Sequence, residues 1–125
     1  MKPRESLMSL KRFDAEEKAR RVADMEAIIR EFEMMVDDLS RQINSEEDRT
    51  GVKDLTHFAY STFAKAAAQR REKLLISVED LRLKLEAALS ERDVAMENLR
   101  KLSSNDSRET GRSRRRSDSG SALVG

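Results

Sequence analysis

The chain's only histidine, His57, opens the stretch "HFAYSTFAKAAAQRREKL" at residues 57–74. That stretch also holds Phe58, Tyr60 and Phe63, three of the chain's five aromatic residues, and the Arg70–Arg71 pair. A lone imidazole serves as a metal ligand or general base only with further groups at matching spacing, and none is present here. His57 therefore reads as a loop residue near a helix start. The chain has no cysteine, which removes disulfides, thiolate metal sites and cysteine nucleophiles. It also has no Gly-rich phosphate loop and no nucleophile motif, so neither an enzyme nor a bound cofactor or metal is expected.

Binding is the chemistry left to these side chains. Phe58 and Phe63 are expected to plug the end of a helical seam at a turn. Tyr60 supports two readings, plug or exposed contact. At helical spacing Tyr60, Phe63, Ala67 and Arg70 or Arg71 share one side, and an aromatic beside arginines has the composition of an interface anchor. Charged pairs such as Glu16 with Arg20, or Glu79 with Lys84, belong to solvated helix faces and add about 0.2–0.5 kcal/mol each.

The charge balance excludes other partners. Lys and Arg number 25 against 24 Asp and Glu, so the chain lacks the basic excess of a general polyanion binder. The segment "RSRRRS" at 112–117 is basic, but the residues around it include two Asp, one Glu and no aromatic for base stacking. No nucleic-acid partner and no small-molecule substrate are expected.

The elements that position these residues follow from periodicity. Charged residues make up 39% of the chain and aromatics 4%, too few large apolar groups for a spherical core. The apolar residues must instead line a narrow seam. Val22, Met25, Ile29, Phe32, Val36, Leu39 and Ile43 alternate in steps of three and four, a 3.5-residue period. Leu74, Val78, Leu81, Leu85, Ala88, Ala95, Leu99 and Leu102 form a second stripe, interrupted at Arg92. Paired antiparallel, Phe32 with Leu74, Met25 with Leu81, Val22 with Leu85, Ile29 with Val78 and Leu39 with Ala67 have position numbers that sum to 106 or 107. Ala15 then faces Arg92, with Glu16 and Glu17 near enough to pair with it. Leu7, Leu10 and Phe13 continue an apolar stripe in a different register, which implies a local slip of the seam across "DAEEKARR".

The predicted fold is all-α, a long antiparallel two-helix coiled-coil hairpin with a disordered C-terminal tail. Helix one covers about 5–47, the turn about 48–60 and helix two about 61–102. Gly51 can take positive φ in the turn, and Asp54, Thr56 or Ser61 can cap the second helix. Residues 103–125, rich in Ser, Arg and Gly and without periodicity, are expected to be disordered. The chain shows no apolar run near the roughly 20 residues that span a bilayer. Its N-terminus lacks the apolar stretch of a secretory signal. A cytoplasmic protein, peripheral to a membrane assembly, is expected.

Two stretches resemble a known family. The opening "MKPRESLMSLKRFDAEEKARRVADMEAIIREFEMMVDDL" and the turn segment "GVKDLTHFAYSTFAKAAAQRREKL" are similar to short flagellar export proteins of the FliJ type, in their alphaproteobacterial form. The specific part is the ordered set Gly51, Asp54, His57, Ala59, Tyr60, Ala64, Ala67, Arg70 and Arg71. The resemblance implies an antiparallel hairpin like the central stalk of rotary ATPases. It further implies association with the hexameric flagellar export ATPase, the membrane export gate and export chaperones, at the inner membrane beneath the flagellum. On this basis Tyr60, Phe63, Arg70 and Arg71 are the candidate gate contacts, and Arg4, Lys11 and Arg12 the candidate ring contacts. Relatives usually continue the second helix in charged, heptad-like sequence past the position of Leu102, where this chain turns to Ser, Arg and Gly. The alternative is a homodimeric coiled-coil scaffold without an ATPase partner. A hairpin can satisfy its seam as a monomer, whereas separate extended helices need a second chain.

Overall fold

A computed structural model describes residues 3–124, with the side chains of 3–105, 107, 108 and 111. The described residues form two helices, α1 (Pro3–Thr50) and α2 (Thr62–Val124), joined by a turn at 51–61. Pro3 lies in the first turn of α1, where its missing N–H costs nothing. Glu5 near that end and Arg49 in the last turn complement the helix dipole. The chain divides into two compact units: residues 22–87, and residues 1–21 with 88–125.

In the 22–87 unit the two stripes cover one another. Val22, Ile29, Val36, Leu39, Ala64, Ala67 and Val78 are buried, and Met25, Phe32, Ile43, Leu74, Leu81 and Leu85 are half-buried. Two contacts from the end of the turn and two between the helices fix an antiparallel direction. Tyr60 bonds Glu47, Ser61 bonds Glu46, Arg71 bonds Ser40 and Arg82 bonds Glu33, so positions fall along α1 as they rise along α2. Each of the five buried Val, Ile and Leu side chains contributes about 1.5–3 kcal/mol. The exposed Arg82–Glu33 pair adds less than about 1 kcal/mol, so apolar burial outweighs ion pairing here.

The other unit pairs residues 3–21 of α1 with the α2 stretch from Ala88, and its interior is of a different kind. Among its described residues only alanines are buried: Ala15, Ala88 and Ala95. Met8, Lys11 and Lys18 on α1, and Arg92, Leu99 and Leu102 on α2, are half-buried. Leu7, Leu10 and Phe13 are instead 43%, 66% and 62% exposed. The expected slip of the seam is therefore corrected. Counting back in sevens from Val22 gives Ala15 and Met8, and from Met25 gives Lys18 and Lys11, with α1 helical throughout. Lysine fits a half-buried seam position because its four-carbon stem packs while the ammonium reaches water.

Some sequence-predicted pairs also change partner. Arg92 is bound to its neighbour Asp93, not to Glu16 or Glu17. Glu17 takes Arg20, and Asp80 takes Lys84. Beyond Leu102 the described backbone continues as helix to Val124. The only proline is Pro3, so nothing after Leu102 forbids helix, and Gly111 and Gly120 each cost about 1 kcal/mol without breaking it. The side chains of "RSRRRS" at 112–117 lie outside those described.

Replacing Ile29 by Ala should lower stability by about 2–5 kcal/mol, the usual cost of emptying a buried branched site. The same change at Ile76, which is 60% exposed, should stay within about 0.5 kcal/mol. Urea denaturation followed by far-UV circular dichroism measures both.

Candidate partner-binding surfaces

The turn is built almost wholly from local hydrogen bonds. Gly51 takes φ 74°, a left-handed conformation open to glycine without a Cβ penalty, and its N–H donates to Glu47 O at 2.9 Å. Val52 N–H donates to Thr50 Oγ1 at 3.3 Å. Asp54 Oδ1 accepts from both the backbone N–H and the hydroxyl of Thr56, at 2.9 and 2.7 Å, which lowers the Asp54 pKa. His57 Nδ1 accepts the N–H of Ala59 at 3.0 Å, so one ring nitrogen already serves the loop. Ser61 is the cap of α2: its Oγ accepts Ala64 N–H at 3.2 Å and donates to Glu46 Oε1 at 2.9 Å. The bidentate Arg49 pair, and after it the Ser61 hydroxyl, lowers the Glu46 pKa to about 2.

Tyr60 and the phenylalanines exchange the roles expected of them. Phe58 is 96% exposed and stacks on His57, with ring centroids 4.7 Å apart. Phe63 is 57% exposed, so neither phenylalanine plugs the seam. Tyr60 is half-buried, and its hydroxyl donates to Glu47 Oε2 at 3.0 Å, tying the start of α2 to the end of α1. The physical reason is coverage: two helices and a short turn offer no third surface to enclose three aromatic rings.

The four turn-side candidates consequently separate into two groups. Arg71 is half-buried and donates through Nε to Ser40 Oγ at 2.7 Å, while Ser40 donates to Val36 O at 3.0 Å. With Tyr60 and the buried Ala67, Arg71 belongs to the seam. Phe63 and Arg70 lie seven residues apart on the outer side of α2, with exposed Ala66 between them and exposed Lys73 beyond. An aromatic ring followed by cations is the part of this stretch free to meet an acidic or aromatic partner. Leu55, 58% exposed in the turn, was not singled out by periodicity, because it belongs to neither stripe.

The candidates near the start of α1 belong to the other unit. Arg4 and Arg12 are exposed, whereas Lys11 is half-buried at a seam position. Beside them a groove of about 250 Å³ is lined by Asp14, Lys18, Ser90, Glu91, Val94, Ala95 and Asn98. Lys18 donates to Asp14 at 2.8 Å, and this bond, ahead of the charge itself, raises the Lys18 pKa. Those two groups satisfy one another. Among the described residues no three His, Asp or Glu side chains converge as a metal site, and no helix is long and apolar enough to cross a membrane.

Tyr60 is the only tyrosine and the chain has no tryptophan, so the phenolate absorbance band reports Tyr60 alone. Desolvation first, then the bond to Glu47, raises its pKa above the ordinary value near 10. A raised phenol pKa stabilises the fold below the unfolded value, and that contribution is lost as pH rises through the folded value. Spectrophotometric titration should therefore give a midpoint above 10, and Glu47→Gln should lower it partway back. A midpoint at or below 10 would detach Tyr60 from the turn.

Comparison with protein-family models, with curated proteins and with solved structures finds no match to this chain.

Proposed function

We propose that the protein is a non-enzymatic coiled-coil adaptor of the flagellar protein export apparatus. In this reading it binds the export ATPase ring and the membrane export gate, and it supports export and the cycling of export chaperones. It works in the cytoplasm at the inner membrane. The observation that carries the reading is the antiparallel pairing of α1 with α2 within one chain, closed by the turn whose residues resemble the FliJ type. The residues from Gly51 to Arg71 behave as a unit, since Gly51, Asp54, His57 and Tyr60 each make a bond that shapes the turn.

The mechanism is mechanical bias. A hairpin has no rotational symmetry, so inside a ring of identical subunits it contacts each one differently and favours different states around the ring. Arg4, Lys11 and Arg12 would supply the charged contacts at the ring end. Phe63 and Arg70 would meet the gate, with Tyr60 and Arg71 holding the start of α2 in place for them. The homodimeric scaffold loses its main support, because the stripes that would require a second chain cover one another within this one.

The test is the ATP hydrolysis rate of the export ATPase from the same organism, with and without this protein. Stimulation is expected. Replacing Arg4, Lys11 and Arg12 together by Ala should raise the half-stimulating concentration about tenfold, equivalent to about 1.4 kcal/mol of binding. Absence of both stimulation and co-elution would rule the adaptor out.

A further inference from the structure

The seam changes in kind at one place on each helix. In the 22–87 unit every α1 stripe residue from Val22 to Ile43 is apolar and buried or half-buried, and so are Leu74, Val78, Leu81 and Leu85 on α2. In the other unit the α1 seam runs Met8, Lys11, Ala15 and Lys18, and the α2 seam runs Ala88, Arg92, Ala95, Leu99 and Leu102. The numbering that pairs the two stripes sets Lys11 opposite Ala95 and Lys18 opposite Ala88. Each seam lysine therefore meets a single methyl group.

The polar contacts follow the same division. The bonds of Tyr60 to Glu47, Ser61 to Glu46, Arg71 to Ser40 and Arg82 to Glu33 all join residues of 22–87. Lys18 and Arg92, by contrast, bond within their own helices, to Asp14 and Asp93. Glu91 of α2 adds only a smaller charge attraction to Lys18.

From this contrast we infer that residues 3–21 and 88–102 part from each other in one step while 22–87 stays closed. Parting uncovers the methyl groups of three buried alanines and lets the ammonium groups of Lys11 and Lys18 hydrate fully. Opening 22–87 uncovers Val22, Ile29, Val36, Leu39 and Val78 as well, which apolar burial opposes far more strongly. The step is concerted because the seam is weakest in its middle. Met8 and Leu99, toward the ends, are better fillers than Lys11, Ala15 and Lys18, so the ends do not loosen first. Once apart, each stretch is a lone helix, whose backbone bonds are only slightly favourable in water.

The open form presents two arms in place of a closed rod, one bearing Met8 beside the already exposed Leu7, Leu10 and Phe13, the other bearing Leu99 and Leu102. This device rests on the seam alone and holds or fails without the export reading. If both hold, Arg4, Lys11 and Arg12 stand on an arm that orders when the ring binds it, which lowers the affinity of the contact.

Hydrogen–deuterium exchange of the full chain, read by mass spectrometry, tests the proposal. Peptides from 8–21 and 88–102 should exchange together, at least about tenfold faster than peptides from 25–43 and 67–85. Lys11→Leu combined with Lys18→Leu fills the seam over Ala95 and Ala88 and should slow the faster pair at least about tenfold. Ile29→Val should speed exchange in 25–43 and 67–85 about two- to tenfold and leave the faster pair unchanged. Equal rates in the two units of the wild type would overturn the proposal. So would protection that rises turn by turn from Pro3, which is simple fraying, or rates that the leucine pair does not move. Equal acceleration of both units by Ile29→Val would also overturn it, because the hairpin would then open as a whole.

Discussion

A pair of helices can bury only one stripe on each partner, and the rest of this structure follows from that limit. Two positions in every seven face inward, and the others must live in water, which is why charged residues reach 39%. The stripe also sets the size of what fits. Where Val22, Ile29, Val36, Leu39 and Val78 fill it, burial supplies the stabilisation. Where Ala15, Ala88 and Ala95 are the buried residues among those described, apolar burial supplies far less, and the stems of Lys11, Lys18 and Arg92 add to it.

The same limit explains why the turn absorbs the side chains that first suggest chemistry. Reversing the chain leaves backbone N–H groups that the two helices cannot satisfy, so local side chains must accept them. Thr50, Asp54, His57 and Ser61 each accept one such N–H. Their types read as candidates for catalysis or capping alike, and here the backbone uses them. Tyr60 and Ser61 then join the end of α1 through Glu47 and Glu46, which sets where α2 begins relative to α1.

Legibility in the sequence tracked how little choice each segment had. Residues 22–43 and 74–102 keep steps of three and four, interrupted only at Arg92, so their inward faces could be read directly, and every residue of both stripes is buried or half-buried. Gly51 and Ser61 were equally legible, because positive φ and helix capping each favour few residue types. Reading failed where size was taken as burial. Phe58, Phe63, Leu10 and Phe13 are large and apolar, yet a two-helix pair has no further surface to enclose them. The count of sevens from Val22 carried the correct signal for the start of α1, but its answer, lysine, looked wrong for a seam. Beyond Leu102 the sequence carries no apolar periodicity, and without a proline nothing in it forbids helix either.

A protein of this kind has no interior in which to keep a function. Whatever it does, it does with the five-sevenths of each helix that faces out, so an outward Phe or Leu says more here than it would on a globular domain. Exchanging Lys11 with Leu10 would put leucine into the seam and lysine into water, and that swap would stabilise the 1–21 stretch by ordinary hydrophobic bookkeeping. The sequence takes the less stable arrangement at Leu10 and Phe13 near one end of α1, and again at Phe58 and Phe63 around the turn. Both stretches also carry charged residues, Asp14 and Glu17 in one, each paired within its own helix, and Arg70 and Lys73 in the other. Apolar area beside charge is what recognition needs, and it stands at the places where the seam gives least.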